Sequence, residues 1–190
     1  MEGIDADAVA RARAGDREAF RELVERHSRR VFRLAYRLTG VEEDAEDVVQ
    51  ETFLRAYRGL PRFDERAEFS TWLYRIATNC SMDLTRRKPR RVDRVEPLEE
   101  SRLAAAEASD SLPGPERQAL ASETGRRVAA ALTRLSPMER TAFVLRHFEG
   151  RPIAEIAQTL QVRAGAAKNC VFRAVSKLRR ELAPIATEPQ

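Results

Sequence analysis

The segment LSPMERTAFVLRHFEGRPIAEIAQTLQVRAGAAKNCVFRAVSKL, residues 135–178, holds three short amphipathic patterns separated by signals that end helices. Ser136 and Glu139 form a capping box around a proline at the first helical position. Gly150 ends that helix, and Pro152 opens a shorter one that is followed, after a brief break, by a last helix. We therefore predict three helices, of which the last two form a helix-turn-helix.

The last helix of this segment carries a polar and basic outer face. The second helix of a helix-turn-helix enters the major groove of DNA, with its apolar side toward the protein core. The outer side chains combine cations for phosphates with groups that can read base edges. They are Lys168, Asn169, Phe172, Arg173, Ser176 and Lys177, with Lys177 assigned to phosphate. We predict duplex DNA binding, and the alternative is a helical hairpin with a solvated basic face.

Three further helical patterns occupy the first half of the chain. The first covers 16–38 and is stopped by Gly40; the second, 45–57, follows an acidic run that suits the positive end of a helix. The third covers 69–87 and is broken by Pro89. The period-two alternation of strands is missing from the sequence, so the predicted fold class is all-α.

The residues between these halves, 88–115, lose the apolar periodicity and turn to Pro, Glu, Ser and Ala. We predict a flexible linker there. It divides the 190 residues into two small helical domains, 1–87 and 116–184, with a disordered tail at 185–190.

The composition agrees with a folded, anion-binding chain. A hydrophobic content of 43% supports packed cores, and the net charge of +4 conceals basic clusters at 86–91 and 168–180 that suit a polyanionic partner. The N-terminus lacks the apolar core of a signal peptide, and no stretch approaches the roughly 20 apolar residues that span a membrane. We expect a cytoplasmic protein without a membrane segment.

Catalytic and metal-binding patterns are missing from the sequence. Cys80 and Cys170 have no CxxC companion, and His27 and His147 have no second type of ligand nearby, which argues against a metal or a cofactor. No P-loop, nucleophile elbow or HExxH string occurs. The carboxylates at 42–47 lie on one helix end instead of converging with distant partners. We predict that the chain is not an enzyme.

Aromatic and basic side chains share the helix predicted over 69–87. Aromatic rings beside cations suit the unstacked bases of single-stranded nucleic acid. Phe69 and Trp72 lie on the apolar stripe, which favours core positions, whereas Tyr74 and Asn79 lie off it.

Three strings, in this order, resemble extracytoplasmic-function (ECF) sigma factors of the sigma-70 family. They are DAEDVVQETFLRAY (44–57), FSTWLYRIATN (69–79) and LSPMERTAFVLRHFEGRPIAEIAQTL (135–160), and they fall in both predicted domains. The resemblance implies a promoter-specificity subunit of bacterial RNA polymerase, with sigma region 2 in the first domain and sigma region 4 in the second. It also implies an anti-sigma partner and a stress or envelope-response regulon.

The resemblance assigns roles to individual residues of region 2. The helix over 44–57 would dock on the clamp helices of the polymerase beta-prime subunit, and a core position is the alternative for Phe53. The docking residues are Asp47, Gln50, Glu51 and Phe53. The next block would open the minus-ten element and capture a flipped non-template base with the help of Asn79. The residues assigned to minus-ten DNA are Trp72, Tyr74, Arg75, Asn79, Arg86 and Arg87.

Region 4 would contact the polymerase beta flap and read the minus-thirty-five element. The residues assigned to that element are Lys168, Asn169, Phe172, Arg173 and Lys177. The entry of the helix departs from the family, since residues 165–170 read GAAKNC where the family has a Thr after the Gly and then a Ser-Arg pair. A lost cap costs about 1 kcal/mol and a lost bidentate Arg about 1 to 3 kcal/mol. We expect an unusual or weak preference, with Asn169 pairing to an adenine edge as a partial replacement.

A stand-alone transcription regulator with a helix-turn-helix is the main alternative function. It explains the second half of the chain equally well. It leaves unexplained why Asn79 and Tyr74 lie among arginines in a first half that has no pattern typical of a ligand pocket.

Overall fold

The computed structural model describes residues 2–64, 68–87, 125 and 127–183, with side chains from Asp5 onward. Regular structure in these ranges is helical throughout, as the sequence predicts. The elements are α1 (Glu2–Arg13), α2 (Arg17–Thr39), α3 (Glu42–Gly59), a 3-10 turn (Leu60–Arg62), α4 (Phe69–Arg87), α5 (127–133), α6 (Pro137–His147), α7 (Ile153–Leu160) and α8 (Ala164–Leu182). The predicted linker at 88–115, the domain start at 116 and the tail at 185–190 lie outside the described residues.

Helix α2 begins and ends where its sequence signals predict. The Asp16 carboxylate caps it by accepting hydrogen bonds from the backbone N–H groups of Glu18 at 2.9 Å and Ala19 at 3.1 Å. Gly40 ends it in the left-handed conformation, with φ at 80°, and donates its N–H to the Tyr36 carbonyl at 2.8 Å. The stop signal at Gly40 is therefore confirmed, and the Asp16 cap is a finding of the structure.

Helix α1 is a fourth helix in the first half, where the sequence pattern indicates only three. Its buried face consists of Ala8, Val9 and Ala12, a stripe too narrow and too small to stand out as a periodic pattern. Asp5 fixes α1 to α2, since its carboxylate lies 3.0 Å from His27 Nε2. Burial lowers the pKa of His27 in spite of the raising effect of Asp5, so the imidazole is neutral at pH 7.

The second half builds the predicted helix-turn-helix. The capping box at α6 is complete: the Glu139 N–H donates to Ser136 Oγ at 3.3 Å, and the Ser136 N–H donates to Glu139 Oε2 at 3.1 Å. Gln161 ends α7 in the left-handed region, with φ at 56°. Helix α8 then starts from Arg163 without a side-chain cap, as the GAAKNC entry predicts.

Helices α1–α4 and helices α5–α8 pack directly against each other. One buried apolar cluster includes Leu38 and Leu73 from the first set and Leu145 and Ile156 from the second. Polar contacts accompany it, among them a hydrogen bond of 2.8 Å from Arg140 Nη1 to the Leu38 carbonyl. Helices α6 and α7 therefore lie against α2 and α4.

Candidate nucleic-acid interface

The outer face of α3 presents polar side chains followed by one exposed apolar residue toward its C-terminal end. Asp47 and Gln50 are exposed, Glu51 is half-buried, and the Leu54 side chain is 44% exposed. These positions are separated by three, four and seven residues, which places them on one side of a helix. We call Asp47, Gln50, Glu51 and Leu54 the α3 face.

Phe53 is not part of the α3 face. It is only 7% exposed and belongs to the main apolar cluster, so the expectation that it docks on a partner is wrong and the core alternative is correct. Consecutive residues on a helix are rotated by 100° about its axis, so Phe53 and its exposed neighbour Leu54 point in different directions. Sequence reasoning missed Leu54, although its spacing of seven from Asp47 was a signal that could have identified it.

Arg55 connects the α3 face to helix α4. Its Nε atom lies 2.6 Å from Glu51 Oε1, and its Nη1 atom lies 3.5 Å from Asp83 Oδ2. The guanidinium therefore holds Glu51 in place and leaves Asp47 and Gln50 as the fully exposed polar groups of the face.

Asn79 lies half-buried in a cleft of about 230 Å³. Both halves of the molecule line it. The lining residues are Arg55, Asn79, Met82, Asp83 and Arg86 from the first half, and Thr159, Leu160 and Gln161 from the end of α7 and the turn after it. The amide thus lies among charged side chains, but the helix-turn-helix covers one side of the cleft.

Tyr74 is buried, although its place off the apolar stripe predicts a surface position. It is 5% exposed, and its hydroxyl has no hydrogen-bond partner among the described residues. The guanidinium carbons of Arg30 and Arg151 lie 5.8 and 5.7 Å from the ring centroid, within cation–π range. Burial raises the pKa of the Tyr74 hydroxyl, which therefore stays protonated. The prediction that Tyr74 lies on an open minus-ten surface is wrong for this structure, because the second half of the chain covers the ring.

The remaining residues assigned to the minus-ten element flank these two positions. Trp72 is half-buried against Phe63, at 4.9 Å between ring centroids, and it also lines a second cleft together with Arg75 and Arg151. Arg75, Arg86 and Arg87 are exposed. Cationic side chains therefore border the Asn79 cleft and the Tyr74 ring on the solvent side of α4.

Helix α8 exposes most of its predicted outer face. Lys168, Asn169, Phe172 and Arg173 are all exposed, and Phe172, at 73%, is the most exposed large hydrophobic residue in the described ranges. Helix α8 therefore presents an exposed surface on which one aromatic ring lies among cationic and amide side chains.

The half-exposed Lys177 is paired with a buried carboxylate of the protein, which corrects its assignment to phosphate. Its Nζ atom lies 2.7 and 3.0 Å from the two carboxylate oxygens of Glu139, which is 5% exposed. Burial by itself raises the pKa of Glu139. The hydrogen bonds from Lys177 and Ser136 outweigh burial, so the pKa lies below its ordinary value of 4.5. Lys177 thus neutralises the capping carboxylate of α6.

We predict that Lys177→Met destabilises the protein at pH 7 by about 1 kcal/mol, a value reduced by the partial exposure of the ammonium. A carboxylate with a depressed pKa adds stability above its unfolded pKa and loses that stability as the pH falls through the folded pKa. The difference between variant and wild type should therefore shrink as the pH falls below 4.5. Urea unfolding at a series of pH values measures it. The exposed Lys168→Met is the control, and a difference that is independent of pH contradicts the assignment.

Two family models match the sequence. "Sigma-70 region 2" matches residues 23–91, and "Sigma-70, region 4" matches residues 125–178, so that together they cover more than half of the chain. The chain belongs to the sigma-70 family. Helices α2–α4 are thus the main part of region 2, and α6–α8 form most of region 4.

The similar proteins are ECF sigma factors, which confirms the resemblance. The chain is 39% identical over 167 residues to "ECF RNA polymerase sigma factor SigE" of Mycolicibacterium smegmatis, covering 88% of this chain but only 63% of that longer protein. It is 30% identical to "ECF RNA polymerase sigma factor SigW" of Bacillus subtilis, over 96% of this chain and 98% of that one. The solved structure of CnrH in complex with the cytosolic domain of CnrY matches with a TM-score of 0.64 at 31% identity, over 95% and 98% of the two chains.

Two kinds of structural feature are absent from the described ranges. No helix there combines the length and apolar character that crossing a bilayer requires. Nor do three or more His, Cys, Asp or Glu side chains in those ranges come together as a set that could hold a metal ion.

Proposed function

We propose that this chain binds core RNA polymerase and directs it to promoters by recognising two DNA elements. Region 2 captures the minus-ten element as single strand, and region 4 binds the minus-thirty-five element as duplex. One observation carries the proposal: the chain combines an amide-bearing cleft lined by Arg55 and Arg86 with an exposed recognition helix, α8. A stand-alone regulator needs only the second of these.

The minus-ten contact follows from the chemistry of the Asn79 cleft. A carboxamide reads a base edge through paired hydrogen bonds, and a flipped base supplies that edge. Unstacking a base costs a few kcal/mol, which contacts with the neighbouring phosphates must offset. Arg86 lines this cleft, Arg75 lines the neighbouring cleft at Trp72, and Arg87 follows Arg86 on α4; all three are exposed and supply the cations.

The minus-thirty-five contact follows from the exposed face of α8. Asn169 can pair with an adenine edge, and the Phe172 ring can pack on a thymine methyl group. Lys168 and Arg173 lie next to them for phosphate or guanine contacts. Because α8 has no side-chain cap and carries Cys170 where the family has an arginine, this half of the recognition depends more on Asn169 and Phe172.

Polymerase docking is assigned to the α3 face. An acidic and amphipathic helix surface suits a helical coiled coil, here the clamp helices of the beta-prime subunit, with Leu54 as the apolar anchor and Asp47 and Gln50 around it. Region 4 contacts the beta flap in the same complex. The protein acts in the cytoplasm, where core polymerase works, and it performs no catalytic step of its own.

An anti-sigma protein is the further partner that we propose. CnrH was solved in complex with the cytosolic domain of CnrY, and CnrH covers nearly the whole of this chain. Such a partner would release this chain in response to stress or a change at the envelope.

Replacing Asn169 by alanine is expected to relax the base preference at one position of the minus-thirty-five element by about 1 to 3 kcal/mol. Transcription of a promoter library randomised in that element, with wild type and variant, measures the preference. Gln158→Ala, which removes an exposed amide from α7 and leaves the recognition helix unchanged, is the matched control. An unchanged preference in the Asn169→Ala variant rejects the assignment.

Dependence on core polymerase distinguishes the proposed function from a stand-alone regulator. A regulator binds its duplex site as a purified protein, with nanomolar affinity typical of specific complexes. We expect the purified chain to bind promoter duplex weakly and to bind it specifically once core polymerase is added. Tight specific binding by the chain alone would instead favour the regulator.

A further inference from the structure

Region 4 covers both parts of the minus-ten surface at once. We propose that this packing is an autoinhibited state of the chain, in which region 4 blocks single-stranded DNA from region 2 while the α3 face stays open to polymerase. The proposal rests on the proposed function and adds its regulation.

The Asn79 cleft is the first part that region 4 covers. Thr159, Leu160 and Gln161 form one side of it, and Leu160 is only 4% exposed because it belongs to the apolar cluster that joins the two regions. A strand that brings a flipped base to Asn79 has to run along α4, where this turn lies. The turn and the strand therefore exclude each other.

The Tyr74 ring is the second part. The Arg151 guanidinium of region 4 lies 5.7 Å from its centroid, and Arg151 Nη1 donates to Thr71 Oγ1, one turn earlier on α4, at 2.9 Å. A guanidinium over an aromatic ring occupies the place that a stacked base would take. Arg151 thus acts as an internal substitute for the DNA, and the unpartnered Tyr74 hydroxyl is buried in the closed state.

The closed state is held by a small number of specific contacts in addition to the apolar cluster. Arg140 donates to the Leu38 carbonyl, and Arg151 donates to Thr71. The Thr133 methyl group lies so close to Gly40 that a Cβ atom there would be 2.9 Å from it. A longer side chain at Thr133 would consequently separate α5 from the end of α2.

The α3 face is not covered by these contacts. Asp47, Gln50 and Leu54 are exposed in the closed state. Polymerase can therefore dock before region 4 leaves, so the order of events is docking first and strand capture second. This order keeps the free protein off single-stranded DNA.

Two opening variants test the proposal in the full-length chain. Arg151→Ala removes the hydrogen bond to Thr71 and the region 4 cation over Tyr74, while Arg30 of region 2 stays beside the ring. Thr133→Arg inserts a wedge between the regions. Arg134→Ala is the matched control, because it removes an exposed arginine whose ion pair with Glu181 lies within region 4. Circular dichroism and thermal unfolding show whether each variant is folded. If one opening variant does not fold, the other is sufficient for the test.

Two readouts follow opening. Trp72 is the only tryptophan of the chain and lines the cleft between the regions, so acrylamide quenching of its fluorescence should increase when region 4 leaves. The second readout is fluorescence anisotropy with a labelled pool of random single-stranded 20-mers. If about nine tenths of the wild type is closed, opening raises the apparent affinity for this pool about tenfold. Affinity for core polymerase should change less than twofold.

The proposal is overturned if a folded opening variant shows the same quenching and the same affinity for single strands as the wild type. Increased quenching without a gain in single-strand affinity also overturns it, because the closed state then blocks nothing. Failure of the wild type to bind core polymerase is a separate result, and it rejects the proposed function.

Discussion

Replacing Asn79 by alanine is expected to reduce transcription from a promoter that this chain recognises by about 5- to 150-fold, because a bidentate amide contact with a base is worth about 1 to 3 kcal/mol. The side chain is half-buried in the cleft on α4 and makes no side-chain hydrogen bond with another described residue that alanine would remove. Folding should be retained. Single-round transcription with core polymerase measures the effect.

The design of that measurement separates base capture from strand opening. On a template already unpaired across the minus-ten element, the melting step is bypassed, but the variant should still fail to discriminate the captured base. Gln158→Ala, which removes an exposed amide from α7, is the matched control and should stay within twofold of wild type. Transcription by Asn79→Ala at the wild-type level on the duplex template would show that Asn79 does not capture a base.

Replacing Leu54 by glutamate is expected to weaken the affinity for core polymerase by about 30-fold or more, the effect of losing an apolar anchor worth about 2 kcal/mol. The side chain is 44% exposed and lies at the C-terminal end of the α3 face, so the change spares the core and adds a charge where an apolar contact is proposed. Competition against a labelled sigma factor for core polymerase measures the affinity.

Leu54→Met is the matched control for this prediction. It keeps an apolar side chain of similar volume and should leave the affinity for core polymerase within about threefold of wild type. Equal affinities of the glutamate and methionine variants would show that the α3 face does not dock on polymerase.

The helices with strong local signals could be predicted from the sequence. Asp16 and Gly40 bound α2, and Ser136 with Glu139 starts α6, because caps and turns depend on neighbouring residues alone. Helix α1 was missed since its buried face is made of small side chains. It is held by Asp5, whose partner His27 lies on another helix.

The errors at the candidate site have a common physical cause. Tyr74 was expected at the surface, but Arg151, 77 positions away by its residue number, covers its ring. Lys177 was assigned to phosphate, but the buried Glu139 binds it instead. Periodicity shows which side of a helix is apolar and gives no information about which distant element packs over the polar side. The error at Phe53 has a different cause, because its angular position on the helix relative to Asp47 already favoured a core position.

The central claim is that this chain confers promoter specificity on core RNA polymerase. In vitro transcription of a genomic fragment library, with core polymerase alone and with the chain added, tests it by mapping the 5′ ends of the transcripts. We expect a set of new start sites that share one upstream sequence element and that are lost with Asn79→Ala. The same start sites with and without the chain would contradict it.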